Sequence, residues 1–358
     1  MKLNKVQDQL NNTKTENYFS ELMEAIKYMA IYDTKLAGCK AEVKIILPRL
    51  RQMEALSSMQ IEGTQTTMTD FLNDEANEKN NNNDVKEVIN HSRTIINTSS
   101  YIKDNGFSNE IIKQIHFSML DGVSKKNDNT LLGKYKNQDN YIVNSAKTII
   151  FNPPSHLETQ EYMDDLIDFM NKKDDLHPLI KSAVIHAQFE SIHPFSDGNG
   201  RVGRLLIPLY FYYSGVINSP FFYMSEALQN EKVLYYKNLT ASRSGKYDEW
   251  IKFFLSKCTE QAKSHIKYID SINDLYASTF KKVNDIIPSK NAYDIVKLLF
   301  EKPILNSNNV SKRLDISQSQ AKRYLKTLVD SNIMTNDDRQ RNTTYLFVEY
   351  LRLLKYFK

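Results

Sequence analysis

The stretch His193-Pro194-Phe195-Ser196-Asp197-Gly198-Asn199-Gly200-Arg201-Val202-Gly203-Arg204 brings an imidazole, a carboxylate and two guanidinium groups together around closely spaced glycines. The apolar run Leu205-Leu206-Ile207-Pro208-Leu209 follows at once, so the stretch reads as a loop entering a helix. Gly198 and Gly200 let backbone N–H groups turn toward one point with no Cβ in the way, and the helix N-terminus adds partial positive charge there. Arg201 and Arg204, three apart, share one face of the first turn and suit phosphate oxygens. Asp197 supplies a hard carboxylate oxygen of the kind Mg²⁺ accepts. The implied ligand is a polyphosphate. His193 stands just before this cradle, where a neutral imidazole can take the proton of an attacking hydroxyl. Singly, each feature has a plain explanation: Gly-Asn-Gly is commonly a turn, a lone His a packed residue, an Asp beside glycines a cap. Their joint order and spacing carry the functional reading.

These residues need a helical scaffold, and the composition supplies one. Across 358 residues, 41% are hydrophobic and 25% charged, with only 10 Gly and 9 Pro, which suits a mostly helical chain of two or three domains. Helical spacing runs through Phe19, Leu22, Met23, Ile26, Met29 and Ala30, and again from Val43 to Met53, where Pro48 interrupts or begins the segment. The polar run from Asn77 to Asp84 reads as a solvated loop. Periodicity returns at Val85, Val88, Ile89, Ile95 and Ile96, then at Ile111, Ile112, Ile115 and Met119 with Ser108 as N-cap. Residues 137–151 differ: Tyr141–Val143 and Thr148–Phe151 favour strands, and Asn144, Ser145 and Ala146 between them predict a hairpin. A long helix is expected from Tyr247 to about Val283. After Pro288 come helices over 292–300, 309–314 and 317–329, then strands at Ile333–Thr335 and Thr343–Val348, an order that predicts a winged helix-turn-helix. The expected domains are residues 1–84, 85–286 and 287–358.

Other classes recede. Cys39 and Cys258 lie far apart with no partners at metal spacing, so both read as small buried residues. No apolar run approaches a membrane span, and the first residues lack the apolar core of a signal peptide, so a cytoplasmic protein is expected. A net charge of +4 does not by itself imply nucleic acid. No Gly-Lys-Ser/Thr follows the glycines, which excludes the ATP-binding P-loop, and no Gly-rich loop precedes a strand lysine as in kinases.

The stretch from His193 to Arg204 resembles the defining signature of the Fic family, His-Pro-Phe-x-(Asp/Glu)-Gly-Asn-Gly-(Arg/Lys)-x-x-Arg, and matches every specified position. The likeness extends to His186, Phe189 and Ile192 in the preceding helix, and to Gly133–Tyr135 with the 137–151 hairpin, which resembles the family's target-binding flap. It implies a mainly α fold: a helical core with a small hairpin, an N-terminal helical region and a C-terminal winged helix. It also implies an enzyme that moves AMP from ATP to a Tyr, Thr or Ser hydroxyl of a protein, itself included. His193 would be the base and Asp197 the Mg²⁺ ligand. Gly198, Asn199, Gly200, Arg201 and Arg204 would hold the phosphates, and Tyr235, Tyr236 and Leu239 resemble the adenine-side wall, though their spacing fits core packing equally well. The flap would hold the target by main-chain pairing.

Upstream, Ser57-Ser58-Met59-Gln60-Ile61-Glu62-Gly63 matches the family's inhibitory pattern, (Ser/Thr)-x-x-x-Glu-(Gly/Asn). In that resemblance Glu62 pairs with Arg204 and competes with ATP, with Ser58 on the same helix; outside it, the two residues are an ordinary polar pair four apart. At the other end, Lys322, Arg323 and Lys326 on the would-be recognition helix, with Arg339 and Arg341 in the wing, suit DNA phosphates, although such modules also dock proteins or dimerise. Three alternatives stay open: a DNA-binding regulator whose core only senses nucleotide, a Fic enzyme with another donor, and one that removes AMP. A homodimer is compatible with the sequence, which names no target.

Overall fold

The computed structural model describes residues 3–10, 13–39, 43–76, 83–123, 131–143, 148–337, 339 and 343–354. These divide into two compact units. The first takes in residues 1–34, 50–65 and 86–264, the second residues 35–49, 66–85 and 265–358.

The helices contributing to the first unit are α1 (Val6–Leu10), α2 (Phe19–Ala37), the later part of α3 (Val43–Ile61), α5 (Asn83–Asn105, following α4 at Met68–Ala76), α6 (Asn109–Leu120), α7 (Thr159–Asn171), α8 (Pro178–Ile192), α9 (Asn199–Tyr213), α10 (Ser225–Asn230), α11 (Lys232–Arg243) and the first part of α12 (Tyr247–Ile286). Every residue of α8 from Leu179 to Ile192 is buried, polar ones included, as befits a helix covered on all sides by α7, α9 and α11. Pro178 at its first turn and His177, whose Nδ1 accepts from Leu179 N at 3.2 Å, start it. Trp250 on α12 closes the core and donates from Nε1 to Ala183 O at 2.8 Å. Burial of each such large apolar side chain stabilises by about 1.5–3 kcal/mol. At α6 the expected cap is present, Ser108 Oγ accepting from Ile111 N at 3.2 Å. The hairpin is present too: β1 (Ile142–Val143) pairs antiparallel with β2 (Ile149–Phe151), and the residues between, 144–147, lie outside the described set.

In the second unit α13 (Ser289–Glu301), α14 (Ser307–Leu314) and α15 (Gln318–Asp330) stand with a three-stranded antiparallel sheet of order β3-β5-β4, formed by Ile304–Leu305 (β3), Thr335–Asn336 (β4) and Tyr345–Leu346 (β5). Phe300 packs against Tyr276, Phe347 and Tyr350 at centroid distances of 5.3, 5.3 and 4.8 Å. An Asn306–Asn309 capping box starts α14.

Several details differ from the sequence expectation. Helix α3 runs through Pro48 instead of breaking there. Of the expected loop 77–84, residues 77–82 lie outside the described set, and α5 already begins at Asn83. β5 is shorter than expected because the chain gives way to α16 (Val348–Leu353), β4 starts two residues later than expected, at Thr335, and β3 was hidden in the short run after Pro303. Cys39 is half-buried, its thiol donating to Asn273 Oδ1 at 3.0 Å, whereas Cys258 is buried. No helix among the described residues is long and apolar enough to cross a membrane.

Candidate active site

Helix α8 ends at Ile192 and α9 begins at Asn199, and the loop between them carries the candidate chemistry. His193 caps α8 in the left-handed region, φ 50°, ψ 59°, its N–H donating to Phe189 O at 3.0 Å. A residue with a Cβ holds that conformation only when its surroundings fix it. Burial, reinforced by the charges of Lys136 and Arg243, lowers the His193 imidazole to about 4, so it is neutral at pH 7 and able to accept a proton.

Gly198 is the N-cap of α9, with φ 76°, and a Cβ there would also meet Leu120 Cδ1 at 2.8 Å. Gly198 offers no side-chain cap, so the first N–H groups of α9, those of Asn199, Gly200 and Arg201, receive no acceptor from it. A helix start of this kind can bind an anion, the chemistry expected from the glycines. The Asn199 side chain is already committed, Nδ2 donating to Phe195 O at 2.7 Å and Oδ1 accepting from Phe195 N at 2.8 Å. What Asn199 can offer a ligand is therefore its backbone. Asp197 Oδ1 accepts from Gly198 N at 2.7 Å and Arg201 Nη2 at 3.2 Å, while the side chain is 58% exposed.

The two arginines are each held by a carboxylate from another helix region. Arg204 is buried; its Nη2 donates to Glu62 Oε1 at 2.7 Å and Ser58 O at 3.0 Å, and its Nε to Ser58 Oγ at 2.9 Å. Ser58 O is among the last carbonyls of α3, which lack partners within the helix and carry its negative end. Burial pushes the Glu62 carboxyl up, but the Arg204 guanidinium outweighs that and holds it below its ordinary value. A Cβ at Gly200 would collide with Glu62 Oε1, so the pair forms over the cradle itself. Arg201 Nη1 donates to Glu87 Oε1 at 2.8 Å.

Tyr235 and Leu239 are buried, and the Tyr235 hydroxyl donates to His186 Nε2 at 2.8 Å when His186 Nδ1 donates to Gly203 O at 3.0 Å. Tyr236 alone of that trio is exposed, its hydroxyl 3.5 Å from Ile61 O.

Several site residues had escaped the sequence reading. Glu87 carried no motif. Glu54, one turn before Ser58, accepts from Ser225 N at 2.9 Å and from Ser225 Oγ, and burial raises its carboxyl to about 7. The four-residue spacing of Glu54 and Ser58 on α3 and of Glu62 just past its end was the available signal. His116 stacks on Phe195 at 3.8 Å; its Nδ1 accepts from Gly133 N and its Nε2–H donates to Asp197 O, both at 3.0 Å.

Residues 106–211 match the model of the Fic/DOC family, and residues 19–98 match the model of the Fic/DOC family N-terminal region. The chain belongs to the Fic/DOC family. Among relatives, a probable protein adenylyltransferase of Aquifex aeolicus is 26% identical over 190 residues, covering 51% of this chain and 55% of its own. The protein adenylyltransferase fic-1 of Caenorhabditis elegans is 37% identical over 67 residues, 18% of this chain and 13% of its own. The chain thus spans about half the length of the first relative and much less of the second. In fold it is similar to the crystal structure of a Fic family protein from Desulfovibrio desulfuricans G20, with a TM-score of 0.61 at 17% identity over 94% of this chain and 97% of that one. A Fic domain containing signaling protein from Bacteroides thetaiotaomicron gives 0.54 at 22% identity, over 69% and 97%. The Fic motif, the hairpin and the region around Ser58 and Glu62 fall within the matched segments.

Proposed function

We propose that this Fic protein is a protein adenylyltransferase held in a self-inhibited state. The observation that carries the reading is the convergence on one loop of a neutral buried imidazole, a helix start without a side-chain cap and an arginine occupied by an internal carboxylate. In the proposed reaction His193 takes the proton of a Tyr, Thr or Ser hydroxyl. The freed oxygen attacks the α-phosphorus of ATP, an oxygen–phosphorus bond forms, the bond to the β-phosphate oxygen breaks, and pyrophosphate leaves. The N–H groups at the start of α9 and the guanidinium of Arg201 offset the phosphate charge, and Arg204 joins them only when Glu62 lets go. Tyr236 is the remaining candidate for the adenine side.

Asp197 fits Mg²⁺ arriving with the nucleotide: it is a single exposed carboxylate, and no group of three or more His, Cys, Asp or Glu that could cage a metal exists among the described residues. Bound there, Mg²⁺ would neutralise charge on the triphosphate. The hairpin exposes Tyr141, Val143, Ile149 and Ile150, and an extended segment of the target would pair along it. Glu62 is the internal brake, since a guanidinium bound to a carboxylate and to Ser58 cannot also take a γ-phosphate.

A second reading concerns residues 287–358, proposed as a winged helix that contacts DNA. Beside α15 lies a groove of about 1290 Å³ whose lining includes Lys312, Lys322, Lys326 and Arg339. Arg323 lies on the same helix; Arg341 is outside the described set.

The test is label transfer with Mg²⁺ from α-labelled ATP, γ-labelled ATP and α-labelled UTP. The adenylylation reading expects label on protein from α-labelled ATP alone. Label from γ-labelled ATP would make the chain a kinase-like Fic enzyme, and label from UTP a uridylyltransferase. Loss of AMP from pre-modified protein would mark an AMP-removing enzyme. Salt-dependent DNA binding without any transfer would favour the regulator.

A further inference from the structure

Four consecutive carbonyls, that of Ile192 at the end of α8 and those of residues 193–195 in the loop, all accept hydrogen bonds from one short segment, residues 136–140. Lys136 Nζ donates to Ile192 O at 3.2 Å, and Lys136 N to Pro194 O at 2.8 Å. Asn140 Nδ2 donates to His193 O at 3.1 Å and to Phe195 O at 2.9 Å. The two side chains also hold each other, Lys136 Nζ donating to Asn140 Oδ1 at 2.9 Å. Lys136 is buried, and an amine taken out of water must have acceptors; here they are the end of α8 and Asn140. The segment runs directly into β1, the first strand of the hairpin.

The arrangement has a mechanical consequence. His193 is the only residue of the loop in the left-handed region apart from Gly198; its own helix holds its N–H, through Phe189 O at 3.0 Å, while its carbonyl is held by Asn140. The imidazole direction therefore depends on the Glu190 backbone, which the ring also meets, and on what grips the flanking carbonyls. We infer that Lys136 and Asn140 are positioning residues that lock the His193 loop and join the hairpin to it in one frame, so that a hydroxyl docked on the hairpin meets the base at a fixed distance. This inference rests on the reading of His193 as the base. A misplacement of about 1 Å at a reacting group costs roughly a hundredfold in rate, so a clamp of this kind acts on turnover and not on nucleotide affinity.

The charged groups facing His193 are Lys136 from this segment, Arg243 from α11 and Glu62 beyond α3, on top of the effect of burial. Lys136 is the larger of the two positive contributions that keep the imidazole neutral. Replacing it by an uncharged side chain raises the His193 pKa, and the acid limb of activity moves up in pH with it.

The experiment uses the full chain in a Glu62→Gly background, comparing Asn140→Ala, Asn140→Ser, Lys136→Met and Lys136→Arg for kcat and KM for ATP in AMP transfer, with the His193 ring followed by NMR titration. The clamp predicts that both Asn140 variants lose about 10- to 100-fold in kcat with KM changed less than about twofold. It predicts the same loss for Lys136→Met with a raised His193 pKa, and recovery to within about threefold in Lys136→Arg, which keeps charge and donors. Unchanged kcat in folded Asn140→Ser, or parallel loss of kcat and ATP binding, overturns it. Should the Glu62→Gly parent transfer no AMP, the base reading fails by itself. The NMR titration then decides the clamp, because ring resonances and pKa unmoved by Lys136→Met contradict it.

Discussion

Two cationic regions of this molecule treat charge in opposite ways. At the start of α9, Arg201 and Arg204 are largely withdrawn from water and each is paired with a carboxylate, Glu87 and Asp197 on one and Glu62 on the other. Along α14 and α15, Lys312, Lys322 and Lys326 have no ion pair among the described residues and line an open groove. A solvated lysine needs no partner, and binds a polyanion mainly by releasing counterions, with strong salt dependence. A buried guanidinium must be paired, so any ligand that uses it has to displace something. The first region is therefore suited to switching, the second to attraction.

The comparison breaks most sharply at His193. His193→Ala is expected to lower AMP transfer by about 10²- to 10⁴-fold, as for loss of a general base, while the proposed DNA contact of residues 287–358 is expected to keep its affinity. Label-transfer rates and a DNA titration on the same preparation check both halves. Next in size is the switch itself: Glu62→Gly frees Arg204 and raises self-modification by about tenfold or more, measured as AMP incorporated per hour. Smaller is the effect of Lys322→Ala with Lys326→Ala, which is expected to reduce the slope of log affinity against log salt by about 2 in a DNA titration and to leave AMP transfer unchanged.

The smallest effect is on stability. Burial raises the carboxyls of both Glu54 and Glu190 to about 7, above the ordinary value of 4.5 that the unfolded chain retains. The folded state then binds more protons than the unfolded one between about pH 4.5 and 7, so stability falls as pH rises through that window, by up to roughly 3 kcal/mol per group. Denaturant titrations at pH 5 and 7 are expected to show a shallower fall in Glu54→Gln than in wild type.

The loop and helix start from His193 to Arg204 were legible because they are contiguous: the loop, the helix start and the glycine positions are all local properties of one segment. The Ser108 cap and the two hairpin strands were readable for the same reason, a capping side chain or an alternating run being visible within a few residues. Glu87, Lys136 and Asn140 were not, since each reaches its partner across more than fifty residues and none sits in a distinctive pattern. Tyr235 shows a different limit. Its aromatic spacing suited a ligand wall and a core equally, and only the hydrogen bond to buried His186 shows which way its ring points. Helix α3 passing Pro48 and the helix α16 after β5 mark places where packing outweighs local propensity.

The central claim is that Glu62 restrains a competent His193 site by occupying Arg204. Its most direct test is intact-mass analysis of wild type, Glu62→Gly and Glu62→Gly with His193→Ala after incubation with ATP and Mg²⁺. An AMP mass that is small in wild type, large in Glu62→Gly and absent from the double variant is the expected result. Equal incorporation by wild type and Glu62→Gly, or AMP retained after His193→Ala, would contradict it.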